Sequence, residues 1–267
     1  MDTASEPTDP ESPPAPPPRE SEAQSGDLRV PQACDGASEV AQSTNCVLVW
    51  EGMTYRARKS TILKDVSGII KKGEIVALMG LSGSGKTTML QCITRQIMAQ
   101  TGEVRVEPDR RGAPATIGYM PDTCNFFGKA TVLDTLQYKA RIIMPEVPPS
   151  VVQQEVMNII TKLDMTAAKD TKICYLSAGE IKRLSLAAQL LRKPDILILD
   201  EPLSGLDSAS SVHLAGFLRA MASEGVAVLM SLHQPRPEVY KMMDTVGLMS
   251  ASVRGVWIEP SIQKQDR

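Results

Sequence analysis

The sequence predicts an α/β domain with a mostly parallel sheet, antiparallel β strands at its start and an inserted helical segment. Three observations predict it. Short apolar runs at 74–79, 195–199 and 226–230 read as strands buried on both faces. Between them lie stretches whose apolar residues recur at helical spacing, so strands and helices alternate. A glycine-rich turn stands between the run at 74–79 and a helix pattern beginning at Lys86.

The elements follow in order. Residues 1–45 are rich in Pro, Ser, Glu and Ala, with the run Pro13-Pro14-Ala15-Pro16-Pro17-Pro18, and hold almost no large apolar side chains. Such a stretch cannot bury enough surface to offset the entropy of ordering, so a disordered tail is expected, one that could also carry a proline-rich ligand. One domain is expected over 46–267. It opens with β-rich segments at 46–50 and 62–70, then the strand 74–79 and a helix from Lys86 to about Met98. Strand-like pieces follow at 103–107 and 116–120. Helical periodicity at 131–144 and 149–163 marks a helical subdomain over about 130–190. The strand 195–199, a helix at 208–221 and the strand 226–230 complete the alternation. No internal repeat is visible.

Composition narrows the function. Basic and acidic residues nearly balance, for a net charge of −2, which argues against a general nucleic-acid or anionic-membrane surface. The five cysteines are dispersed without metal-like spacing, as reduced thiols are. No apolar run approaches the roughly 18–20 residues that span a bilayer, and the start lacks the basic-then-apolar pattern of a secretory signal.

Gly80-Leu81-Ser82-Gly83-Ser84-Gly85-Lys86-Thr87 fits G-x-x-x-x-G-K-[ST] at every fixed position, after a strand and opening a helix. The glycines let backbone N–H groups turn inward toward phosphate oxygens, and the helix N-terminus favours an anion. Lys86 would neutralise the β- and γ-phosphates. The Thr87 hydroxyl would ligate Mg²⁺, and Thr88 beside it would join the ATP-binding loop. Asp200 and Glu201 end the apolar strand 195–199, at the sheet edge where parallel sheets bind ligands. Asp200 suits the Mg²⁺ shell, and Glu201 can polarise a water attacking the γ-phosphate.

Leu176-Ser177-Ala178-Gly179-Glu180-Ile181-Lys182-Arg183 resembles the L-S-G-G-Q signature of ABC ATPases, and it stands just upstream of Asp200. Ser204-Gly205-Leu206-Asp207 looks like that family's D-loop, and Ser231-Leu232-His233-Gln234-Pro235-Arg236 like its switch-histidine segment. The last form, with Glu180 closing the signature, resembles the white–brown subfamily, subfamily G. The resemblance runs from about Cys46 to Pro260 and implies the ABC ATPase fold around the phosphate-loop core. It also implies ATP and Mg²⁺ as ligands and a dimer, of like or unlike cassettes, with each ATP under the partner's signature. From this chain that signature would contribute Ser177, Ala178, Gly179 and Glu180. Asp207 would lie at the interface, and His233 would contact the γ-phosphate and Glu201. An aromatic ring would stack on adenine: Tyr55, or alternatively Trp50, either of which could instead be core packing. His213 is given no role.

Two positions depart from the family pattern. Asp122 stands where a Mg²⁺-contacting glutamine is usual, and a carboxylate can still ligate Mg²⁺. Ala178 replaces the first signature glycine, which brings a methyl group where backbone and phosphate approach. The resemblance implies an ATP-hydrolysing cassette at the cytosolic face of a membrane, partnered by a transmembrane domain either covalent or separate. With the cassette finishing near Ile258-Glu259-Pro260, the chain is expected to be the front part of a half-transporter or to have a separately encoded membrane partner. The alternatives are a soluble ABC ATPase without a transport role and a non-hydrolysing regulatory ATP-binding module.

Overall fold

Three short strands buried on both faces organise everything around them. In the computed structural model, residues 46–250 are described except 59, 109–111 and 113–114, together with the backbone of 256–260. The proline-rich tail at 1–45 lies outside the described residues. Strands β3 (Ile75–Gly80), β6 (Ile196–Leu199) and β7 (Ala227–Leu232) pair in parallel at the centre of a six-stranded sheet, with β7 between the other two. On one face, Ile75, Ala77, Leu197, Leu199, Val228 and Met230 join one core; on the other, Val76, Leu78, Ile196, Ile198, Ala227 and Leu229 join a second. Strands buried on both sides have no polar face to alternate with, which is why they read as continuous apolar runs.

The second core is closed by an antiparallel sheet of β1 (Cys46–Ala57), β2 (Ser60–Lys71) and β4 (Thr101–Val106), in the order β2-β1-β4. Helix α1 (Lys86–Ile93) contributes Met89, Leu90 and Ile93 to that core. The first core is covered by α2 (Val132–Ile143), α3 (Pro149–Lys162), α4 (Ala178–Leu190) and α5 (Ser208–Ser223). Helices α2, α3 and α4 contact one another, the inserted helical region expected from the spacing. Flanking them are β5 (Ile117–Met120), an edge strand beside β6, and β8 (Thr245–Met249), beside β3. An antiparallel β9 (Val256–Pro260) completes the order β5-β6-β7-β3-β8-β9.

Two differences from the sequence expectation have local causes. Helix α1 stops at Ile93 rather than near Met98. Arg95 takes a left-handed φ of 57°, its N–H reaches Cys92 O at 3.0 Å, and Gln96 N–H reaches Gln91 O at 2.9 Å. This is the usual closing motif of a helix with arginine at the position normally marked by glycine, so the stop signal is hidden. Strand β8 and the short helix α6 (Pro237–Tyr240) were not anticipated, because Gly247 interrupts the former and the latter is one turn long.

Strands β1 and β4 meet closely at Gly102, where the pairing register shifts and φ is +94°; a Cβ there would lie 2.5 Å from Met53 Cα and 2.6 Å from Glu51 O. Gly102→Ala is expected to destabilise the domain by about 2 kcal/mol or more, read as a lowered midpoint of chemical unfolding, since backbone must shift and φ is strained.

A phosphate-loop site at the carboxyl edge of the sheet

Because β3, β7 and β6 are parallel and in register, their carboxyl ends deliver Gly80, Ser231 and Asp200 to one edge. Gly80 must be glycine: a Cβ would stand 2.3 Å from Met249 O. Beyond it the loop opens, with Leu81, Ser82 and Gly83 exposed, and then turns into α1 at Gly85, which has φ +99°. A side chain at Gly85 would press on Ile62 and Leu63 of β2. Lys86 folds back beneath the loop, buried, and donates from Nζ to Gly80 O at 2.8 Å and Leu81 O at 3.2 Å. The ammonium is thus held inside the curl of the loop. Ser84 Oγ is buried there without a hydrogen-bond partner, while Thr87 is exposed and Thr88 half-buried.

Asp200 is 1% exposed. Its Oδ1 accepts from Ser231 Oγ at 2.6 Å, and its Oδ2 has no hydrogen-bond partner. The same Ser231 oxygen accepts from Glu201 N at 2.8 Å, so one hydroxyl links the two acidic residues to the central strand. Burial, then the charge of Asp200, pushes the neighbouring Tyr119 phenol up to about 12. A buried carboxylate with one oxygen unpartnered fits a divalent cation. Among the described residues no cluster of three or more His, Cys, Asp or Glu could hold a metal alone. Mg²⁺ would suit this arrangement, since it commonly takes one or two protein ligands and completes its shell from water and phosphates.

Glu201 is half-buried and has φ +47°, a left-handed backbone unusual for a non-glycine residue. Four hydrogen bonds fix it. Ser231 holds its N–H; Lys182 Nζ at 3.0 Å, Ser204 Oγ at 3.1 Å and Ser204 N at 3.2 Å all donate to its carbonyl. Strain of this kind persists where surroundings over-determine it, and it gathers at functional sites. His233 is exposed just past β7 and, with Glu201, Ser204, Ser231 and Arg236, borders a cavity of about 170 Å³.

Other sequence-derived candidates fall into place with different degrees of proximity. Trp50 is a core residue, 1% exposed, which removes it as a stacking ring. Tyr55 is half-buried and pairs across β1–β2 with Leu63, the residue that abuts Gly85, so it stands one strand from the phosphate loop. Asp122 is exposed and its Oδ1 lies 2.8 Å from Lys182 Nζ. Asp207 is exposed and caps α5, accepting from Ser210 N at 3.0 Å; the Ser210 side chain, then this backbone bond, lowers its carboxyl below its ordinary value. Lys182, Ser204 and Ser231 drew no role from sequence, since an interior helical lysine and two serines carry no spacing signal of their own.

The signature segment starts α4 with Ser177 as its N-cap. Glu180 N donates to Ser177 Oγ at 3.3 Å, and Glu180 Oε2 accepts from Ser177 N at 2.8 Å and Ser177 Oγ at 2.7 Å. This capping box accounts for a glutamate at that position. Ala178 has no positive φ and is the first helical residue, so its methyl group carries no left-handed strain. Its Cβ faces Gly205 across a gap of 4.0 Å to the position a Cβ would take there, and Gly179 abuts Leu206. The signature and the Ser204–Asp207 loop therefore touch within one chain.

A family model described as ABC transporter matches residues 63–204. That span holds the phosphate loop, the signature and the Asp200–Glu201 pair, and it ends before Asp207 and His233. ABC transporter G family member 7 of Arabidopsis thaliana is 34% identical over 202 residues, 71% of this chain and 28% of its own length. Member 11 of the same organism is 32% identical over 228 residues, 80% and 32% of the two chains. Member 12 of Dictyostelium discoideum is 34% identical over 203 residues, 71% and 32%. The chain thus spans about a third of the length of these relatives. Among solved structures, a nucleotide-free ATP-binding cassette from an ABC transporter superposes with a TM-score of 0.69 at 20% identity, covering 82% of this chain and 92% of that one. An inward-facing metal-chelate-type ABC transporter gives 0.70 at 22% identity, covering 81% and 84%. At those identities the likeness establishes the fold, a parallel-sheet cassette.

The hydrogen bond from Ser177 N, then that from its hydroxyl, holds the Glu180 carboxyl below its ordinary value of 4.5. Folding therefore favours the ionised form; the stabilisation is complete above about pH 4.5 and is lost as pH falls through the lowered value. The protection factor of amides at the start of α4, that is, exchange measured relative to its intrinsic rate at each pH, is expected to fall on acidification in the wild type, and Glu180→Gln should flatten that pH dependence.

Proposed function

The chain belongs to the ABC transporter family, and on that premise we propose that it is an ATP-binding and hydrolysing cassette that dimerises around two Mg-ATP and powers transport through a membrane domain outside this sequence. The observation that carries the reading is the Ser231 bridge. It draws Asp200 and Glu201 to the same sheet edge as the phosphate loop, so a cation carboxylate and a candidate base stand beside a phosphate cradle.

In this reading the loop N–H groups and Lys86 bind the phosphates of ATP, with Thr88 at the start of the helix and Tyr55 against the adenine. Thr87 Oγ1 and Asp200 Oδ2 would hold Mg²⁺, which supplies neutralisation of charge developing on the transferred phosphoryl group. Glu201 orients a water for attack on the γ-phosphate. Its fixed backbone costs no reorganisation at the moment of reaction. His233, at the mouth of the adjoining cavity, polarises the same region. The Ser177–Glu180 turn and Asp207 face a second cassette.

Support for a membrane partner comes from the relatives, which bear the name ABC transporter and are about three times as long. Among the described residues no helix is long and apolar enough to cross a membrane. Phe127, Tyr138, Ile142 and Tyr175 are exposed apolar side chains on or next to the helical region, a surface suited to a partner. The cytosolic side of a membrane is the location this reading assigns.

Glu201→Gln is expected to lower ATP turnover by about 100-fold or more while leaving Mg-ATP binding intact, since removing a general base typically costs 10²–10⁴-fold. Turnover of the purified chain and binding of a fluorescent ATP analogue measure the two. Equal turnover in wild type and variant would favour a non-hydrolysing ATP-binding module.

A further inference from the structure

Lys182 is the one lysine on α4, and its residue surface is only 9% exposed. A buried ammonium must find acceptors for all three of its protons. It does so completely: Nζ donates to Asp122 Oδ1 at 2.8 Å, to Asp122 O at 2.8 Å and to Glu201 O at 3.0 Å. Three separate segments are thereby pinned to one atom, namely the signature helix, the loop after β5 and the turn after β6. Ser204 Oγ lies 3.4 Å from Asp122 Oδ1 and donates to Glu201 O, repeating the link from the next loop.

Charge decides what Asp122 can do here. Its carboxylate is the only anionic partner of Lys182, while the other two acceptors are neutral carbonyls. A divalent cation on that carboxylate would sit beside a buried ammonium that cannot move away without losing its other bonds. Glu201, for its part, has a left-handed backbone that would relax without restraint.

Building on the ATPase reading above, we propose that Asp122 and Lys182 form an internal positioning pair that sets the backbone of Glu201, and that Asp122 is not a Mg²⁺ ligand. Neither residue touches the reacting atoms. Each acts through the carbonyl of Glu201, and the pair couples the loop after β5 to the angle at which the base is presented.

The test uses the purified chain as wild type, Asp122→Asn, Lys182→Met, the double variant, Lys182→Arg and Asp200→Asn. Measured are ATP turnover with its kcat and KM, and the Mg²⁺ concentration that half-saturates ATP binding. Asp122→Asn and Lys182→Met should each lower kcat by about tenfold with KM changed by no more than about twofold, and the double variant should lose no more than the worse single. Lys182→Arg keeps the charge and should recover most of the turnover, which separates the clamp from a general need for a folded helix. The Mg²⁺ requirement should rise in Asp200→Asn and stay at the wild-type value in Asp122→Asn. A raised requirement in Asp122→Asn, losses that multiply in the double variant, or an Arg variant as poor as Met would overturn the pair. A wild-type chain that binds no Mg-ATP would instead overturn the ATPase reading; one that turns ATP over with unaffected pair variants would overturn only the pair.

Discussion

Everything at the site depends on three parallel strands ending together. The pairing Leu199–Met230 and Leu78–Ser231 sets the register of β6 and β3 against β7. A parallel ladder buried on both faces tolerates no slip, because a shift of one residue would send Leu197 and Leu199 into the wrong core and their neighbours with them. Packing therefore fixes where the first polar residue past each strand emerges. Asp200 reaches Ser231 at 2.6 Å because hydrophobic alternation has already aligned the two strands, and the hydroxyl then ties Glu201 to the same point.

The site also concentrates charge that burial would ordinarily expel. Lys86, Lys182 and Asp200 are all buried. The two lysines survive by hydrogen-bonding backbone carbonyls at the ends of strands and loops, groups that the sheet leaves unpaired there. Each such bond is worth roughly 1.5–3 kcal/mol when one partner is charged, so an ammonium with two or three of them is held firmly. Asp200 differs: one oxygen is satisfied and the other is not, a cost that a stability argument alone would remove and that a cation ligand requires.

Much of this was legible in the sequence, and the reasons are physical. Strands buried on both faces write themselves as runs such as Ile196–Leu199, and the phosphate loop demands glycine at Gly80, where a Cβ would strike Met249 O. Those constraints act on residue type and so leave a trace. The end of α1 left none, because Arg95 adopts the left-handed turn that glycine usually signals. Position favoured Tyr55 over Trp50 as the stacking ring without excluding either as core, and the burial of Trp50 in the core beneath the β1–β2–β4 sheet is what removes it. The Lys182 clamp joins positions 60 and 19 residues apart along the chain, a relation that periodicity cannot express.

The start of α4 carries a conflict that bears on how two cassettes would engage. Ser177 Oγ has one proton, and it is given to Glu180 Oε2 at 2.7 Å. A phosphate oxygen approaching from a partner could accept that proton only if the hydroxyl turned away from the carboxylate. It would also meet the negative charge of Glu180, whose ionised form the hydrogen bonds from Ser177 N and then Ser177 Oγ favour. The backbone N–H groups and dipole of the thirteen-residue helix favour the anion; the glutamate opposes it. A glutamine there could cap the helix without the opposing charge. In the proposed dimer the glutamate would therefore trade strength of closure on a nucleotide for a firmer helix start, and closure would be weaker and more readily reversed.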